Sequence, residues 1–345
     1  MRKKLGLSLL SLLLALVAAE LGFRLLAPGL GYDRDQLAAV RAFIVHGRTR
    51  FEPHPYLGYV QKSVRPDGSR SIFFDREFPV ERLPGVPRVA CLGGSTTAQG
   101  YPTFLERHLE RELGRDVEVQ NWGVGNWTSA ETMLNYLLNV QDYAPDVIVL
   151  HHAVNDGKAR VRPDYRPDYS HFRQPWTEPD YGPLHRLLVS VSDLYTALQL
   201  DDPEPLQVGR RVNAPLRARK PADLREWLTP ESTGAFRRNV LTVAEHAASH
   251  GMAPLLVTMP CEPETNPAQK NMHDALVQTV LEHNAIVREL AGEHGFPLLD
   301  LVELYGELGE DHRSIFSDMV HMTPEGKNLK GAMIARALIN AGLIE

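Results

Sequence analysis

The sequence predicts an α/β fold with a central parallel sheet. Residues 89–92, 117–120 and 147–150 each have the length and the side-chain pattern of a short strand. The segments between them carry apolar residues at helical spacing, so strand and helix alternate along the chain. This alternation is typical of a parallel sheet whose two faces are covered by helices.

The alternation resumes in the C-terminal part of the chain. Further strands are predicted at 253–259 and 296–299, and helices at 102–113, 129–138, 233–250, 269–294 and 324–340. Gly114 and Gly251 follow two of these helices, where glycine commonly ends a helix. Ser129 and Thr323 suit N-cap positions, and Pro324 suits the first helical position after Thr323.

Composition excludes several classes of protein. The chain has 345 residues, of which 43% are hydrophobic, and its formal net charge is -6. A substantial core can be buried, and no dominant basic face indicates a nucleic-acid partner. The two cysteines, Cys91 and Cys261, cannot build a disulfide framework or a cysteine metal site. A single bridge between them has no support in the sequence.

The first 27 residues have the pattern of an export segment. Arg2, Lys3 and Lys4 precede an uncharged apolar stretch over 5–19. We predict a signal anchor over 1–27: a membrane-spanning helix with Glu20 near the interface, which leaves the rest of the chain on the extracytoplasmic side. The alternative is a cleaved signal and a secreted form, because residues 17–19 resemble a cleavage site.

Two further segments flank or interrupt the sheet elements. Residues 28–87 are predicted to form a neck that packs on a main domain over 88–345. The neck includes a helix over 35–46 and short strands or edge segments at 56–59 and 71–74. An insertion over 158–231 is rich in proline and aromatic residues and contains one predicted helix over 183–200. It is either a lid or substrate-recognition arm, or a covering loop with a solvated basic surface; we favour the loop.

The stretch over 89–97 ends a predicted strand in Gly93, Gly94 and Ser95. Glycines tolerate backbone angles that other residues avoid, and open α/β sheets bind ligands outside the carboxyl ends of their strands. Ser95 is therefore a candidate nucleophile, provided that a base and oxyanion donors come from elsewhere. A serine at this place also suits a helix N-cap, and the residue alone does not separate the two roles.

His321 and Asp318 precede the last predicted helix. His321 is the candidate general base for Ser95, and Asp318 can hydrogen-bond the other imidazole nitrogen because it lies three residues earlier. Taken alone, an aspartate and a histidine before a helix often serve as caps or surface polar groups.

Asn155 follows the strand over 147–150 and can direct its amide NH₂ towards a developing oxyanion. The backbone N–H groups near Gly125 and Asn126, and that of Ser95, would complete the oxyanion hole. The alternative is that Asn155 and its neighbours form an ordinary turn with no catalytic role.

Four segments together resemble the four sequence blocks of the SGNH/GDSL hydrolase family. They are Gly93-Gly94-Ser95-Thr96, the loop over 121–129, Val154-Asn155-Asp156, and Asp318-Met319-Val320-His321. The resemblance covers about 88–157 and 233–345. It implies a three-layer α/β/α, flavodoxin-like fold and serine ester hydrolysis with no metal or other cofactor. By this resemblance Ser95 is the nucleophile, His321 the base, Asp318 its orienting acid and Asn155 an oxyanion donor.

The sequence departs from the family pattern in a few places. Gly94 stands where the family usually has aspartate, and the family glycine of the second block falls on Asn126 without a gap or on Gly125 with one. The owner of the backbone oxyanion donor therefore stays open between these two residues. Thr97 breaks the Gly-x-Ser-x-Gly pattern of the α/β-hydrolases, so that fold is excluded.

A metal site is a weaker alternative for the same edge of the sheet. Its imagined ligands are His151, His152, Asp156 and His321. Adjacent histidines at a strand end point to opposite faces of the sheet, which argues against this site.

The predicted function is a membrane-anchored, extracytoplasmic serine esterase. The resemblance implies small acyl esters as substrates, with acetyl groups on carbohydrate the favoured case. The first alternative is an O-acyltransferase that uses the same three residues to modify an envelope polysaccharide. The second is a non-catalytic envelope binding module on the same fold. The oligomeric state cannot be read from the sequence.

Overall fold

The computed structural model describes residues 2–30, 37–38, 41, 44–45, 51–61, 63–64, 70–71, 78–173, 182–198, 221–262 and 270–345. The chain divides into two compact units, one formed by Met1–Pro53 and Pro175–Asn213 and the other by His54–Gln174 and Ala214–Glu345. The second unit contains the sheet and all predicted site residues.

The described strands and helices have the following bounds. The strands are β1 (Phe51–His54), β2 (Gly58–Gln61), β3 (Ser63–Val64), β4 (Arg70–Ser71), β5 (Arg88–Gly93), β6 (Glu118–Asn121), β7 (Val147–His151), β8 (Ala253–Val257) and β9 (Leu298–Leu299). The α-helices are α1 (Arg2–Leu26), α2 (Ser95–Ala98), α3 (Tyr101–Leu113), α4 (Ser129–Leu138), α5 (Val154–Arg160), α6 (Pro183–Val191), α7 (Asp193–Leu198), α8 (Gly234–Ser249), α9 (Lys270–His294), α10 (Leu301–Gly306) and α11 (Pro324–Asn340).

The central sheet of the second unit has five strands in the order β6-β5-β7-β8-β9. All of its strand pairs are parallel, with Cys91 of β5 opposite Asn121 on one side and Val149 on the other. The chain leaves β5 in one direction for β6 and returns past it to β7. The carboxyl ends of β5 and β7 therefore meet at a topological switch point, where open α/β sheets bind ligands.

Side chains that alternate along the strands build a core on each face of the sheet. Ala90, Leu92 and Ile148 pack against residues of α4, α8 and α9. Val89, Cys91 and Val149 pack against residues of α3 and α11 on the other face. The predicted three-layer α/β fold with a central parallel sheet is confirmed.

Two predicted helix details are corrected by side-chain hydrogen bonds. Thr128, not Ser129, caps α4, because its hydroxyl accepts from the N–H of Ala130 and Glu131 completes a capping box. The single helix predicted over 183–200 is two helices, α6 and α7. Ser192 lies between them, and its hydroxyl accepts from the backbone N–H of Tyr195, which begins a new helix.

In the first unit, Glu20 of α1 is held by polar contacts. Glu20 accepts hydrogen bonds from the Ser192 hydroxyl and the Asp193 N–H, both at 2.7 Å, and its pKa is lowered to about 2. Burial alone would raise this pKa, but the hydrogen bonds outweigh it. Among the described residues, no helix combines the length and hydrophobicity needed to cross a membrane. The spanning helix predicted over 1–27 is therefore not supported.

Parts of three predictions lie outside the described residues. The strand predicted near 71–74 is described only at Ser71, and of the helix predicted over 35–46 only 37–38, 41 and 44–45 are described. The segments 174–181 and 199–220 of the insertion are also outside. The proposed boundaries at residues 27 and 87 stay predictions.

Candidate active site

The predicted site residues gather at the carboxyl edge of the sheet. Ser95 is the first residue of α2, directly after β5, and Asn155 lies in the first turn of α5, after β7. The 125–126 loop follows β6, and His321 precedes α11. Each candidate therefore leaves a strand end or precedes a helix at the same place in the fold.

Three of these residues form a hydrogen-bonded chain. The Ser95 Oγ lies 2.8 Å from Nε2 of His321. The Nδ1 of the same imidazole lies 2.6 Å from Oδ2 of Asp318. The serine and histidine are 226 positions apart in the sequence, so the contact exists only because the sheet and α11 bring them together. This is the geometry that a serine nucleophile, a general base and an orienting carboxylate require.

The turn before α11 fixes Asp318 against His321. Phe316 and Met322 form an antiparallel bridge, and the Ser317 N–H donates to the carbonyl of His321 at 2.8 Å. The Oδ1 of Asp318 accepts from the N–H groups of Val320 at 3.0 Å and His321 at 2.8 Å. Burial would raise the pKa of Asp318, but the hydrogen bonds from the His321 side chain and these two N–H groups lower it below its ordinary value. The carboxylate is therefore ionised and oriented towards Nδ1.

Asn155 packs against Gly94, the residue that precedes Ser95. Its Nδ2 donates to the carbonyl of Trp127 at 2.9 Å. A Cβ added to Gly94 would lie 2.6 Å from the same Nδ2. One amide hydrogen is used by Trp127, and the second is available for an oxygen bound next to Ser95. The position agrees with an oxyanion donor, and that role stays a prediction.

The glycines of the site serve close packing rather than unusual backbone angles. Neither Gly93 nor Gly94 has a positive φ. A Cβ on Gly93 would lie 2.1 Å from Oγ1 of Thr97, and one on Gly123 would lie 2.4 Å from the backbone nitrogen of Ala98. The helical turn that carries Ser95 is therefore packed directly on two glycine backbones.

Gly125 and Asn126 are the central residues of a tight turn, closed by a hydrogen bond from the Trp127 N–H to the Val124 carbonyl. Asn126 has a left-handed φ of 62°, a conformation that asparagine tolerates. The φ of Gly125 is not positive. The position that favours glycine is thus Asn126, as in the ungapped alignment. Which of the two N–H groups faces an oxyanion stays a prediction.

Tyr59, from β2, braces this turn and was not predicted as part of the site. Its hydroxyl donates to the Gly125 carbonyl at 2.6 Å, and its own carbonyl accepts from Nε1 of Trp127 at 3.1 Å. Tyr59 is fully buried. No sequence signal marks it, because the contact joins segments that are 66 positions apart.

Asp156 anchors the start of α5 to the start of α4. Its carboxylate accepts from the Ser129 N–H at 3.0 Å, the Ser129 hydroxyl at 2.5 Å and the Tyr169 hydroxyl at 2.9 Å. Burial raises its pKa to about 6 in spite of these hydrogen bonds. Since Asp156 adjoins Asn155, this network holds the asparagine in place.

The adjacent histidines point to different partners, as the strand geometry predicts. His152 bonds the Thr132 hydroxyl at 2.8 Å. His151 bonds the Thr96 hydroxyl at 3.2 Å and contacts Nζ of Lys330 at 3.3 Å. Within the described segments, no three side chains of the metal-ligating types are grouped to hold an ion.

Lys330 is a buried lysine that contacts His151 at the end of β7, and it was also not predicted. Its Nζ lies 4.4 Å from the centroid of the Tyr101 ring. Burial lowers the pKa of Lys330 to about 7. It lowers that of His151 too, and Lys330 adds to the effect. The Thr96–His151–Lys330 chain links α2 to α11, the helix that follows the His321 turn.

A second lysine, Lys158, lies at the edge of the site. Its Nζ donates to Oδ1 of Asn126 at 3.1 Å. It is located three residues after Asn155 on α5, so both side chains are on one face of that helix. This spacing is the signal that could have identified it from the sequence.

The chain matches the model of the GDSL-like lipase/acylhydrolase family over residues 91–329, more than half of its length. No curated protein matches it.

The two cysteines are free, so they form no bridge.

Several solved structures are similar to the chain. A lipase/acylhydrolase from Enterococcus faecalis is 16% identical over 74% of this chain and 97% of that chain, with a TM-score of 0.45. A GDSL-like lipase from Bacteroides thetaiotaomicron is 18% identical over 74% and 88%, with a TM-score of 0.42. An acetylxylan esterase from Geobacillus stearothermophilus is 13% identical over 75% and 95%, with a TM-score of 0.45. At these values the likeness does not bear on substrate.

Proposed function

Because the chain belongs to the GDSL-like lipase/acylhydrolase family and is thus an ester-bond hydrolase, we propose that Ser95, His321 and Asp318 are its catalytic triad. The single observation that carries this proposal is the unbroken chain from Ser95 Oγ to His321 Nε2 at 2.8 Å and from Nδ1 to Asp318 at 2.6 Å. The ionised carboxylate favours the tautomer with a proton on Nδ1, which leaves Nε2 free to accept the serine proton.

The proposed reaction begins with attack of Ser95 Oγ on the ester carbonyl while its proton moves to Nε2 of His321. The carbonyl oxygen becomes an oxyanion, which the free amide hydrogen of Asn155 and backbone N–H groups near Ser95 and the 125–126 turn stabilise. Collapse of the intermediate transfers the proton from His321 to the leaving alcohol and forms an acyl-enzyme. A water molecule, deprotonated by His321, then attacks the acyl carbonyl and releases the acid and Ser95.

For the substrate we propose small acyl esters, with acetyl groups on carbohydrate as the first class to test. Family membership supports this choice.

The proposal is tested with p-nitrophenyl acetate and acetylated oligosaccharides, comparing the wild type with Ser95→Ala and with Ser8→Ala, an exposed serine of α1, as the matched control. We expect Ser95→Ala to lose at least about 10³-fold in kcat and to lose labelling by a fluorophosphonate probe. Product analysis by mass spectrometry separates released acid from acyl groups that reach a sugar hydroxyl. Equal rates for wild type and Ser95→Ala would contradict the triad.

We also propose that the chain acts outside the cytoplasm. Support comes from the basic residues 2–4 and the apolar stretch over 5–19. Cell fractionation of the full chain, with N-terminal sequencing of the mature protein, tests this location. Recovery of the intact protein only in the cytoplasmic fraction would contradict it.

A further inference from the structure

Lys158 is one of two cationic side chains that contact the predicted oxyanion-hole residue Asn126; the other is Arg173. It shares a helix face with Asn155, and it hydrogen-bonds Asn126 at 3.1 Å. Burial and Arg173 lower the pKa of Lys158, and the charge of Asp318 offsets part of that lowering. Three separate relations, to Asn155, Asn126 and Asp318, therefore place the ammonium group at the edge of the proposed triad.

The neighbouring cation, Arg173, already has its counter-ion. Its Nε lies 2.9 Å from Oε1 of Glu131, and it donates to the Asn126 carbonyl at 2.8 Å. Glu131 also accepts from the N–H and the hydroxyl of Thr128. The carboxylate of Glu131 is therefore fully used by Arg173 and the α4 cap.

Lys158 has no such partner. In the described parts of the chain, no carboxylate oxygen lies within 4.0 Å of its Nζ, although the side chain is partly buried. Burial and the charge of Arg173 lower its pKa to about 8, so the group is mostly protonated at neutral pH. A partly desolvated cation that no carboxylate contacts is costly, and an anion from outside can supply that contact.

We propose that Lys158 binds an anionic oxygen group, such as a carboxylate, on the ester substrate. The inference rests on the proposed function, because it assigns the substrate class of the same site. The acidic group is carried either by the acyl chain or by the alcohol, as in an esterified acidic sugar. The proposal differs from a purely structural role for Lys158, in which the ammonium group only fixes Asn126.

The two roles are separated by a ratio of rates. Each substrate pair contains an acidic ester and its neutral methyl ester: mono(4-nitrophenyl) adipate for an acid on the acyl side, and 5-acetoxy-2-nitrobenzoate for an acid on the alcohol side. The measured quantity is kcat/KM for the acidic ester divided by kcat/KM for the neutral one. Loss of a fixed Asn126 lowers both rates together, whereas loss of a charge contact lowers the ratio.

Lys158→Met removes the charge, Lys158→Gln keeps a hydrogen-bond donor for Asn126 without the charge, and Lys158→Arg keeps the charge. Lys270→Met, at an exposed lysine of α9, is the charge-matched control. We expect the Met and Gln variants to lower the ratio at least about tenfold for one of the two pairs. The Arg variant should keep most of it, the Lys270 variant should keep all of it, and higher salt should lower the wild-type ratio.

An unchanged ratio in the Met and Gln variants for both pairs would overturn the inference. Ser95→Ala on the same substrates keeps the two proposals apart. If Ser95→Ala abolishes turnover while the Lys158 variants leave the ratio unchanged, the triad stands and the anion site falls. If Ser95→Ala leaves turnover unchanged, the proposed function itself falls.

Discussion

Replacing Asp318 with asparagine tests the hydrogen-bond arrangement of the turn before α11. The Oδ1 position accepts from two backbone N–H groups, at 3.0 and 2.8 Å, so the asparagine oxygen must take that place. The NH₂ group is then directed at Nδ1 of His321, which has to become an acceptor. The imidazole proton moves to Nε2, and the base can no longer accept the proton of Ser95.

The size of this effect follows from the alternative rotamer. Turning the amide over would restore the correct tautomer, but its NH₂ would face the two backbone N–H groups. Two hydrogen bonds would be lost, at about 1–1.5 kcal/mol each, so the wrong tautomer is favoured by roughly 30- to 150-fold. The stabilising negative charge next to the imidazolium is lost as well. Together we expect kcat to fall about 10³- to 10⁴-fold.

The assay is kcat for p-nitrophenyl acetate, with fluorophosphonate labelling of Ser95 as a second readout. Asp318→Ala is the matched control, because it removes the charge but does not force the tautomer, and we expect its loss to be the smaller of the two. Circular dichroism confirms that both variants fold. An Asp318→Asn variant that keeps more than a tenth of wild-type kcat, or whose kcat exceeds that of Asp318→Ala, would show that the amide does not force the wrong tautomer on His321.

Three other substitutions test separate parts of the structure. Asn155→Ala removes an oxyanion donor and should lower kcat about 10²- to 10³-fold with little change in KM; a change confined to KM would contradict that role. Gly123→Ala places a Cβ 2.4 Å from the nitrogen of Ala98 and should lower the free energy of unfolding by roughly 1–3 kcal/mol, measured in urea; unchanged stability would argue against this close packing. Lys330→Met removes a group whose pKa is about 7 when folded and about 10.4 when unfolded. Between these values the unfolded chain holds the extra proton, so wild-type stability should rise with pH by at most about 1.4 kcal/mol per unit, and the methionine variant should lack this slope.

Much of the sheet could be predicted from local sequence. The strands β5 and β7 are short apolar runs. Val89, Ala90, Cys91 and Leu92 are all buried, and strand geometry places them alternately on the two faces of the sheet. Thr323 and Pro324 predicted the start of α11 because cap and proline preferences are local. The family resemblance is confirmed by the match over residues 91–329.

Other features depended on contacts that no local pattern encodes. Thr128 is an exception: with Glu131 three residues later it has the local Thr-x-x-Glu spacing of a capping box, which could have identified it, in place of Ser129, as the cap of α4. Glu20 was assigned to a membrane interface from its neighbours in sequence, yet its partners lie 172 and 173 positions later. Tyr59 and Lys330 likewise reach the site through tertiary packing alone.

The contact between Glu20 and the Ser192–Asp193 turn has a consequence for synthesis of the chain. The first unit is assembled from Met1–Pro53 and Pro175–Asn213. The N-terminal segment therefore cannot complete its native contacts until the second segment has been synthesised. At about 5–20 residues per second, translating the roughly 170 residues between them takes on the order of ten to thirty seconds. Throughout that interval the apolar helix α1 has left the ribosome without its native neighbours. Cellular factors that bind nascent apolar segments therefore have that time to bind α1 before the rest of the first unit can pack against it.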